Sequence, residues 1–493
     1  MTPDSAWFAY NLTLLPVMFS ATMLGVVIGA LPGLTTTMGV ALVVGFTGAM
    51  SLDNGLAVLL GVFVGGVYGG SLSAILLNIP GTPSAAATAI DGHILARQGL
   101  ADTAIKVTRL ASVVGTGLSC LALYFLTPVL AAFSLSFQSP EFFMLAFFGV
   151  SICGSITSED LALKGWIGGL FGVLISLVGM DDLEGAPRFT FGLVDLMSGI
   201  SIIPVMIGLY AFPAVVNGLA EAKRAVATRI VPHVATKSAG VFAIVARRLD
   251  TVLKSAGVGI GIGILPGVGE DVAAWLAYDL AKKTSREKEK FGQGCYDAVI
   301  APETANNAGC GGALIPMLLL GVPGSPPVAI LLAALIMHGV RPGPMLLVES
   351  PNFVAQMAFM LFLATVCLWA VASLIARPIT KILNVPAGVL LPIVAALSFI
   401  GAYAINLSRF DLWLALFFGA LGWLLQKMKY SPAPIALGMI LGKLLDSRFR
   451  TTLMISDGSF WPFLSRPISF VFLCVTLCLL WRQYRSRSSK TPG

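Results

Sequence analysis

Charge is scarce in this sequence. Lysine, arginine, aspartate and glutamate make up 11% of the 493 residues, and histidine occurs three times. A water-soluble chain of this size carries roughly a quarter charged residues, so an aqueous globular fold is excluded. Three scattered histidines leave no His-Glu-x-x-His metal helix, and no Walker phosphate loop is present, so the chain is read as not an enzyme. Cysteines are seven, an odd number, and six of them lie in or beside apolar runs without metal-ligand spacing, Cys295 alone being in a polar loop. They read as small buried hydrophobes, and no cofactor is implied. The N-terminus has Asp4 as its only charge before the first apolar stretch, so it lacks the basic region of a cleaved signal peptide and is expected to be retained.

What is present is apolar. Hydrophobic residues make up 57% and the mean hydropathy is +0.89. Apolar stretches of roughly 17 or more residues recur, near the length that spans hydrocarbon, which predicts an all-α polytopic protein in a lipid bilayer. The net charge of +7 then reports orientation and needs no nucleic-acid partner. The 53 glycines and 28 prolines are helix breakers, tolerated at membrane depth only where protein or a wet cavity satisfies the freed backbone.

The breakers are ordered. Gly25-x3-Gly29-x2-Pro32-Gly33 is followed by Gly69-x10-Pro80-Gly81-Thr82-Pro83, and the same order returns in Gly259-x3-Gly263-x2-Pro266-Gly267 and Gly312-x10-Pro323-Gly324-Ser325-Pro326. Two copies imply a duplicated unit, and helices broken at matched places in two membrane repeats point to a secondary transporter with its site between them.

Basic residues set the expected path. Lys223, Arg224, Arg229, Lys237, Arg247, Arg248 and Lys254 crowd the central linker, and the tail carries Arg482, Arg485, Arg487 and Lys490, so both are placed in the cytoplasm with the N-terminus outside. The repeats are then inverted: 1–217 forms the first, 218–254 the basic cytoplasmic linker, 255–450 the second, and 451–493 an extra span and cytoplasmic tail. Segments 14–50 and 255–281 read as re-entrant hairpins broken at Leu-Pro-Gly, followed by interrupted crossings at 55–96 and 297–340. Four crossings follow each of these, and one span closes the chain, giving about 11 crossings plus two hairpins at roughly 20 residues per span. Lys443, Arg448 and Arg450 run against this path, since they fall outside.

The breaks supply the candidate ligands. Proline removes an amide and glycine accepts the resulting backbone, leaving a helix N-terminus for an anion and freed carbonyls for a cation. Thr35, Thr36 and Thr37 follow the first break, while Gly269, Glu270 and Asp271 take those places in the second. The second loops offer Thr82 and Ser325, with small residues upstream that serve close helix packing equally well. Ala301-Pro302-Glu303-Thr304-Ala305-Asn306-Asn307-Ala308 puts a carboxylate and two amides into a crossing helix, which is costly unless they are paired or functional. Asp91, Asp297, His93 and His338 read as solvated or capping groups, and Asp181 and Arg188 as an internal salt bridge.

Taken together, Gly-x3-Gly-x2-Pro-Gly-Leu-Thr at 25–35, Tyr-Gly-Gly-Ser through Pro-Gly-Thr-Pro at 68–83, Asp91-Gly92, Arg188-Phe-Thr-Phe-Gly192, Phe291-Gly-x-Gly294 and Ala-Pro-Glu-x-Ala-Asn-Asn-Ala at 301–308 resemble the large membrane subunit of tripartite tricarboxylate transporters, the TctA type. The likeness runs from about residue 20 to 450 and departs at His93 and at Gly45-Phe46. It implies a bacterial inner-membrane permease that imports citrate or another organic carboxylate with a cation gradient. Its implied partners are a small membrane subunit and a periplasmic solute-binding protein. Carried onto this chain, the implied substrate positions are Gly33, Thr35, Gly81, Thr82, Gly267, Gly324, Ser325 and Asn306, with Glu303 and Asn307 as ligands for Na+. Sodium is favoured over a proton because no string of buried carboxylates and histidines resembles a relay. The alternatives are a stand-alone H+-coupled carboxylate carrier and a channel or structural membrane subunit.

Overall fold

The computed structural model describes residues 10–31, 34–156, 162–181, 183–222, 240–375, 378 and 387–488. The chain is an all-α multi-pass membrane protein, with one short β-hairpin of two-residue strands among the described residues. Its first half holds α1 (Leu15–Ala30), α2 (Thr36–Thr47), α3 (Leu52–Leu77), α4 (Ala85–Leu95), α5 (Ala101–Ser134), α6 (Ser139–Ile156) and α7 (Ala162–Ser176). Strands β1 (Gly179–Met180) and β2 (Pro187–Arg188) come next, then α8 (Ile202–Met206), joined through a π-turn to α9 (Phe212–Ala222).

Its second half holds α10 (Val241–Ala246), α11 (Leu249–Gly263), α12 (Gly269–Thr284), α13 (Tyr296–Leu320), α14 (Pro326–Met337), α15 (Leu346–Glu349), α16 (Phe353–Ile375), α17 (Ala387–Asn406), α18 (Arg409–Lys427) and α19 (Pro432–Ile455). Helices α20 (Trp461–Ser465) and α21 (Pro467–Ser488) end it. Five helical segments among the described residues, Tyr10–Ala30, Leu52–Leu77, Ala85–Ala131, Ile202–Ala220 and Phe353–Ile375, are long and apolar enough to cross a bilayer.

Both Leu-Pro-Gly segments double back. The Tyr10 hydroxyl, ahead of α1, donates to Asp53 Oδ2 at 2.7 Å, just past α2. In the second half Arg248, ahead of α11, pairs with Glu287 at 2.7 Å, just past α12. Each helix pair therefore ends where it began. The polar contact at the base of each pair sits at the end of a long neighbour, α3 in one case and α13 in the other, where charge is tolerated.

The later breaks are also matched. Helix α3 stops at Asn78 and α13 at Gly321, both left-handed with φ of 58° and 67°. Each loop then folds back along the helix it left: the Gly81 amide donates to Gly70 O at 3.2 Å, and the Gly324 amide to Ala313 O at 3.3 Å. A helix of 25 or 26 residues is by itself long enough to span. The interruptions expected within 55–96 and 297–340 therefore come after nearly full-length helices, and α4 and α14 start from loops drawn back beside them.

Glycine lets these backbones meet. A Cβ on Gly29 would lie 2.1 Å from Gly66 O, and one on Gly81 would lie 2.0 Å from Gly29 O. In the second half, a Cβ on Gly324 would lie 2.3 Å from Gly263 O. The departure at Gly45 has the same cause, since a Cβ there would lie 2.3 Å from Gly401 O, where α2 crosses α17.

Arg450 and Arg188 meet acids at the β-hairpin: Arg450 reaches Asp181 at 2.7 Å, and Arg188 reaches Asp446 at 2.8 Å and Asp181 at 3.3 Å. The expected salt bridge within the loop is present, and it belongs to a wider network that neutralises a basic group running against the predicted path. Arg448 stacks over the Phe142 ring at 5.2 Å. Arg450 above all, through its hydrogen bond, holds the Asp181 carboxyl below the usual carboxylate range.

Forcing a methyl group against a backbone carbonyl costs about 1–3 kcal/mol. Gly81→Ala and Gly324→Ala are each expected to lower the thermal unfolding midpoint of the detergent-solubilised protein. Gly257→Ala, on a helix with no atom within 4 Å of the new carbon, leaves it unchanged or higher. Equal midpoints for all three would contradict the close backbone contacts.

Candidate functional site

A cavity of about 490 Å³ lies among segments that flank the matched breaks. Its wall includes Thr35, Thr36 and Thr37 from the first hairpin tip, Thr82 and Ser84 from the loop after α3, Gly267 to Asp271 from the second tip, and Pro326 at the start of α14. Tyr210, Asn217, Gln426 and Ser431 complete its polar surface. That size falls within the roughly 300–1,000 Å³ of small-molecule sites.

Local structure explains the lining. Thr35 is extended and caps α2, its Oγ1 accepting from the Met38 amide at 3.2 Å, so the amide end of α2 opens at the cavity wall. The Thr82 and Ser84 hydroxyls are 3.0 Å apart. Gly267 has φ of +75°, and a side chain there would run into Leu437. The Ser84 amide donates to Asp271 Oδ1 at 3.0 Å, joining the loop of the first half to the tip of the second.

Of the substrate positions, Thr35, Thr82 and Gly267 line the cavity, while Gly33 lies outside the described residues. Gly81 and Gly324 stand behind it as backbone contacts. Ser325 is buried beside Gly269 and next to the Glu270 carboxylate, and its Oγ makes no hydrogen bond of ordinary geometry. Asn306 is 1% exposed and both its side-chain polar atoms are unpaired, although it is not part of the cavity wall.

Glu303 and Asn307 sit deeper. Glu303 is fully buried on α13 and accepts hydrogen bonds from Ser71 on α3, Thr88 on α4 and Ser112 on α5, the last at 3.2 Å. Asn307 accepts from Thr116 Oγ1 at 3.3 Å and donates to Glu303 O at 3.1 Å. Three hydroxyls from three helices thus surround the Glu303 carboxylate, with the Asn307 and Thr116 side chains next to them, oxygen donors that suit a small hard cation.

The polar lining was only partly legible in the sequence. Glu270 and Asp271 are the cavity's only charged residues among those described, and the sequence marks them only as the counterparts of Thr36 and Thr37. Two adjacent acids in the first turn after a Pro-Gly break in apolar sequence were the available signal. Tyr210, Asn217 and Gln426 gave none, because their approach depends on tertiary folding.

A family model for the tripartite tricarboxylate transporter TctA family matches residues 15–437, a stretch that contains all four breaks and Glu303. The chain belongs to the TctA family. It is similar to an uncharacterized 52.8 kDa protein from the TAR-I ttuC' 3' region of Agrobacterium vitis, 33% identical over 470 residues, covering 94% of this chain and 92% of the relative. A second Agrobacterium vitis protein, from the TAR-II ttuC' 3' region, is 33% identical over 224 residues, covering 44% of this chain and 93% of the relative. No solved structure matches the chain.

Two motifs of this TctA-family chain have structural reasons. Asp91 is wholly buried, not solvated: it accepts from the amides of Gly292, Gly294 and Cys295, each at 2.9 Å, and from the Tyr278 hydroxyl at 3.0 Å. Asp91-Gly92 and Phe291-Gly-x-Gly294 are thus two sides of one contact, with glycine φ values of +82° at 292 and +99° at 294. Asp297 is also buried, and it meets Arg248 at 2.9 Å and the Ser285 hydroxyl. Glu287, Cys295 and Asp297 lie close enough to share a metal, but Arg248 already neutralises both carboxylates. Lys290, followed by Arg248, holds the Glu287 carboxyl below its usual range. His93 Nδ1 lies 3.0 Å from Ile75 O, and His338 Nε2 is unpaired beside Gly55.

Hydrogen bonds to a charged group are worth about 1.5–3 kcal/mol each, so Asp91→Ala is expected to destabilise the protein by about 3 kcal/mol. Thermal unfolding in detergent reads this directly. An unchanged midpoint would contradict the role of Asp91 as the anchor of the 291–295 loop.

Proposed function

We propose that this chain is the large permease subunit of a secondary transporter that imports a tricarboxylate or related organic carboxylate across the bacterial inner membrane. The observation that carries this reading is that segments next to the four Pro-Gly breaks, Thr35–Thr37, Thr82–Ser84, Gly267–Asp271 and Pro326, line one cavity that has free hydroxyls and a helix N-terminus. The family name adds the substrate class. A periplasmic solute-binding protein would deliver the carboxylate and a small membrane subunit would complete the complex. The chain itself transports and does not catalyse a reaction.

The arrangement we propose is two inverted repeats, 1–217 and 255–450, with two re-entrant hairpins and about 11 crossings, the N-terminus outside and the tail in the cytoplasm. Its support lies in the doubled-back helix pairs and the paired Gly81 and Gly324 contacts. The Thr35–Thr37 tip, with Thr82, would hold the carboxylate groups. Gly81, Gly267 and Gly324 let the broken backbone pack closely enough to form the wall around it, and Gly33 is proposed to do the same.

The ion we propose is Na+, taken by Glu303 and Asn307 with the hydroxyls around them, and with Asn306 adjacent. Moving a negative charge inward opposes a negative-inside potential by roughly 2.3 kcal/mol per 100 mV, so several cations must accompany a multiply charged anion. In proteoliposomes holding the complete transporter, carboxylate uptake is expected to follow an imposed Na+ gradient. Glu303→Gln and Asn307→Ala should raise the Na+ concentration for half-maximal uptake about tenfold. Uptake that follows a pH gradient and ignores Na+ would refute the ion assignment.

A further inference from the structure

Positions 36 and 37 and positions 270 and 271 each stand three and four residues beyond the glycine of their Pro-Gly break, yet they differ chemically. The first tip presents two threonines, and the second presents Glu270 and Asp271. Glu270 is 4% exposed, lines the cavity and has no hydrogen-bond partner for Oε2. Asp271 uses one oxygen for the Ser84 amide at 3.0 Å. No lysine, arginine or histidine is among the described residues of the wall. An uncompensated carboxylate pair removed from bulk water costs several kcal/mol, a cost that a bound cation or a proton would relieve.

Other groups point to the same place. Thr36, from the first hairpin, is 5% exposed and also lines the cavity, and its Oγ1 is unpaired. Ser325, 2% exposed, neighbours the Glu270 carboxylate, and its Oγ makes no hydrogen bond of ordinary geometry. Glu270 packs its Cβ against Gly309 on α13, and Asn306, with its unpaired amide, lies one turn away on the same face. The acidic tip thus has an unpaired hydroxyl beside it at Ser325, with the unpaired Thr36 hydroxyl in the same cavity lining, oxygen donors that suit a small hard cation.

We propose that Glu270 and Asp271, with the Ser325 hydroxyl, form a Na+ site in the cavity wall, distinct from the enclosed Glu303 cluster and facing the substrate. The two tips then divide the work. The threonine tip, with its helix N-terminus, takes the anion, and the acidic tip takes a cation that neutralises it. This inference rests on the transport reading for its purpose, but its test does not require transport.

The test is 22Na+ binding to the purified full-length chain in nanodiscs, without partners or carboxylate, together with the thermal midpoint in choline and in Na+. Wild-type protein is expected to bind Na+ and to melt higher in Na+ than in choline. Glu270→Gln and Asp271→Asn should each remove one bound Na+ per chain or weaken it at least tenfold. Asp250→Asn, exposed on α11, should change nothing. Loss of one ion on changing Glu270, whatever Glu303→Gln does, supports the site. Undiminished stoichiometry and affinity in both variants overturns it, as does a wild-type chain that binds no Na+. Should Glu270→Gln unfold in choline, Asp271→Asn and Ser325→Ala decide between the same two outcomes.

Discussion

A backbone that breaks its helix inside hydrocarbon must find other partners for the freed amides and carbonyls, because no water is there to take them. In this protein the loops solve the problem by folding back onto the helix they leave. The Gly81 and Gly324 amides are satisfied by Gly70 O and Ala313 O, and both glycines press against the carbonyl of a hairpin glycine, Gly29 or Gly263. No other residue type fits those positions. Hairpin tip, back-folded loop and long helix are thereby locked into one unit in each half, and the two units face each other across the cavity.

The polar groups fall into two layers. One is exposed to the cavity and incompletely paired: Thr36, Glu270 and, just behind, Ser325. The other is enclosed and well paired: Glu303 with Ser71, Thr88 and Ser112, and Asp91 with the amides of the 291–295 loop. The enclosed layer ties α3, α4 and α5 of the first half to α13 of the second. Unpaired groups are where a ligand gains most, since their desolvation cost is already present.

The helix pairs and their Pro-Gly breaks could be read from the sequence because proline and glycine act locally, and because duplication repeated them. The Asp181–Arg188 pair was legible for the same reason of proximity. Asp91 was not, since its partners lie about 200 residues away and its burial depends on how α4 meets the loop before α13. Glu303 was recognised as important from the cost of a carboxylate in a crossing helix, but its hydroxyl partners come from three other helices that no sequence spacing connects. The acidic tip is visible in the sequence as residues but not as chemistry, because only the assembled wall shows Glu270 and Asp271 without a basic partner among the described residues.

The segments that flank the four breaks are proposed to form the substrate site. A cryo-EM structure of the chain in nanodiscs with saturating carboxylate and Na+ tests this most directly. The account predicts carboxylate density between the Thr35–Thr37 tip and the Gly267–Asp271 tip, in contact with Thr82. Carboxylate density elsewhere, with that cavity filled by side chains or lipid, would contradict it.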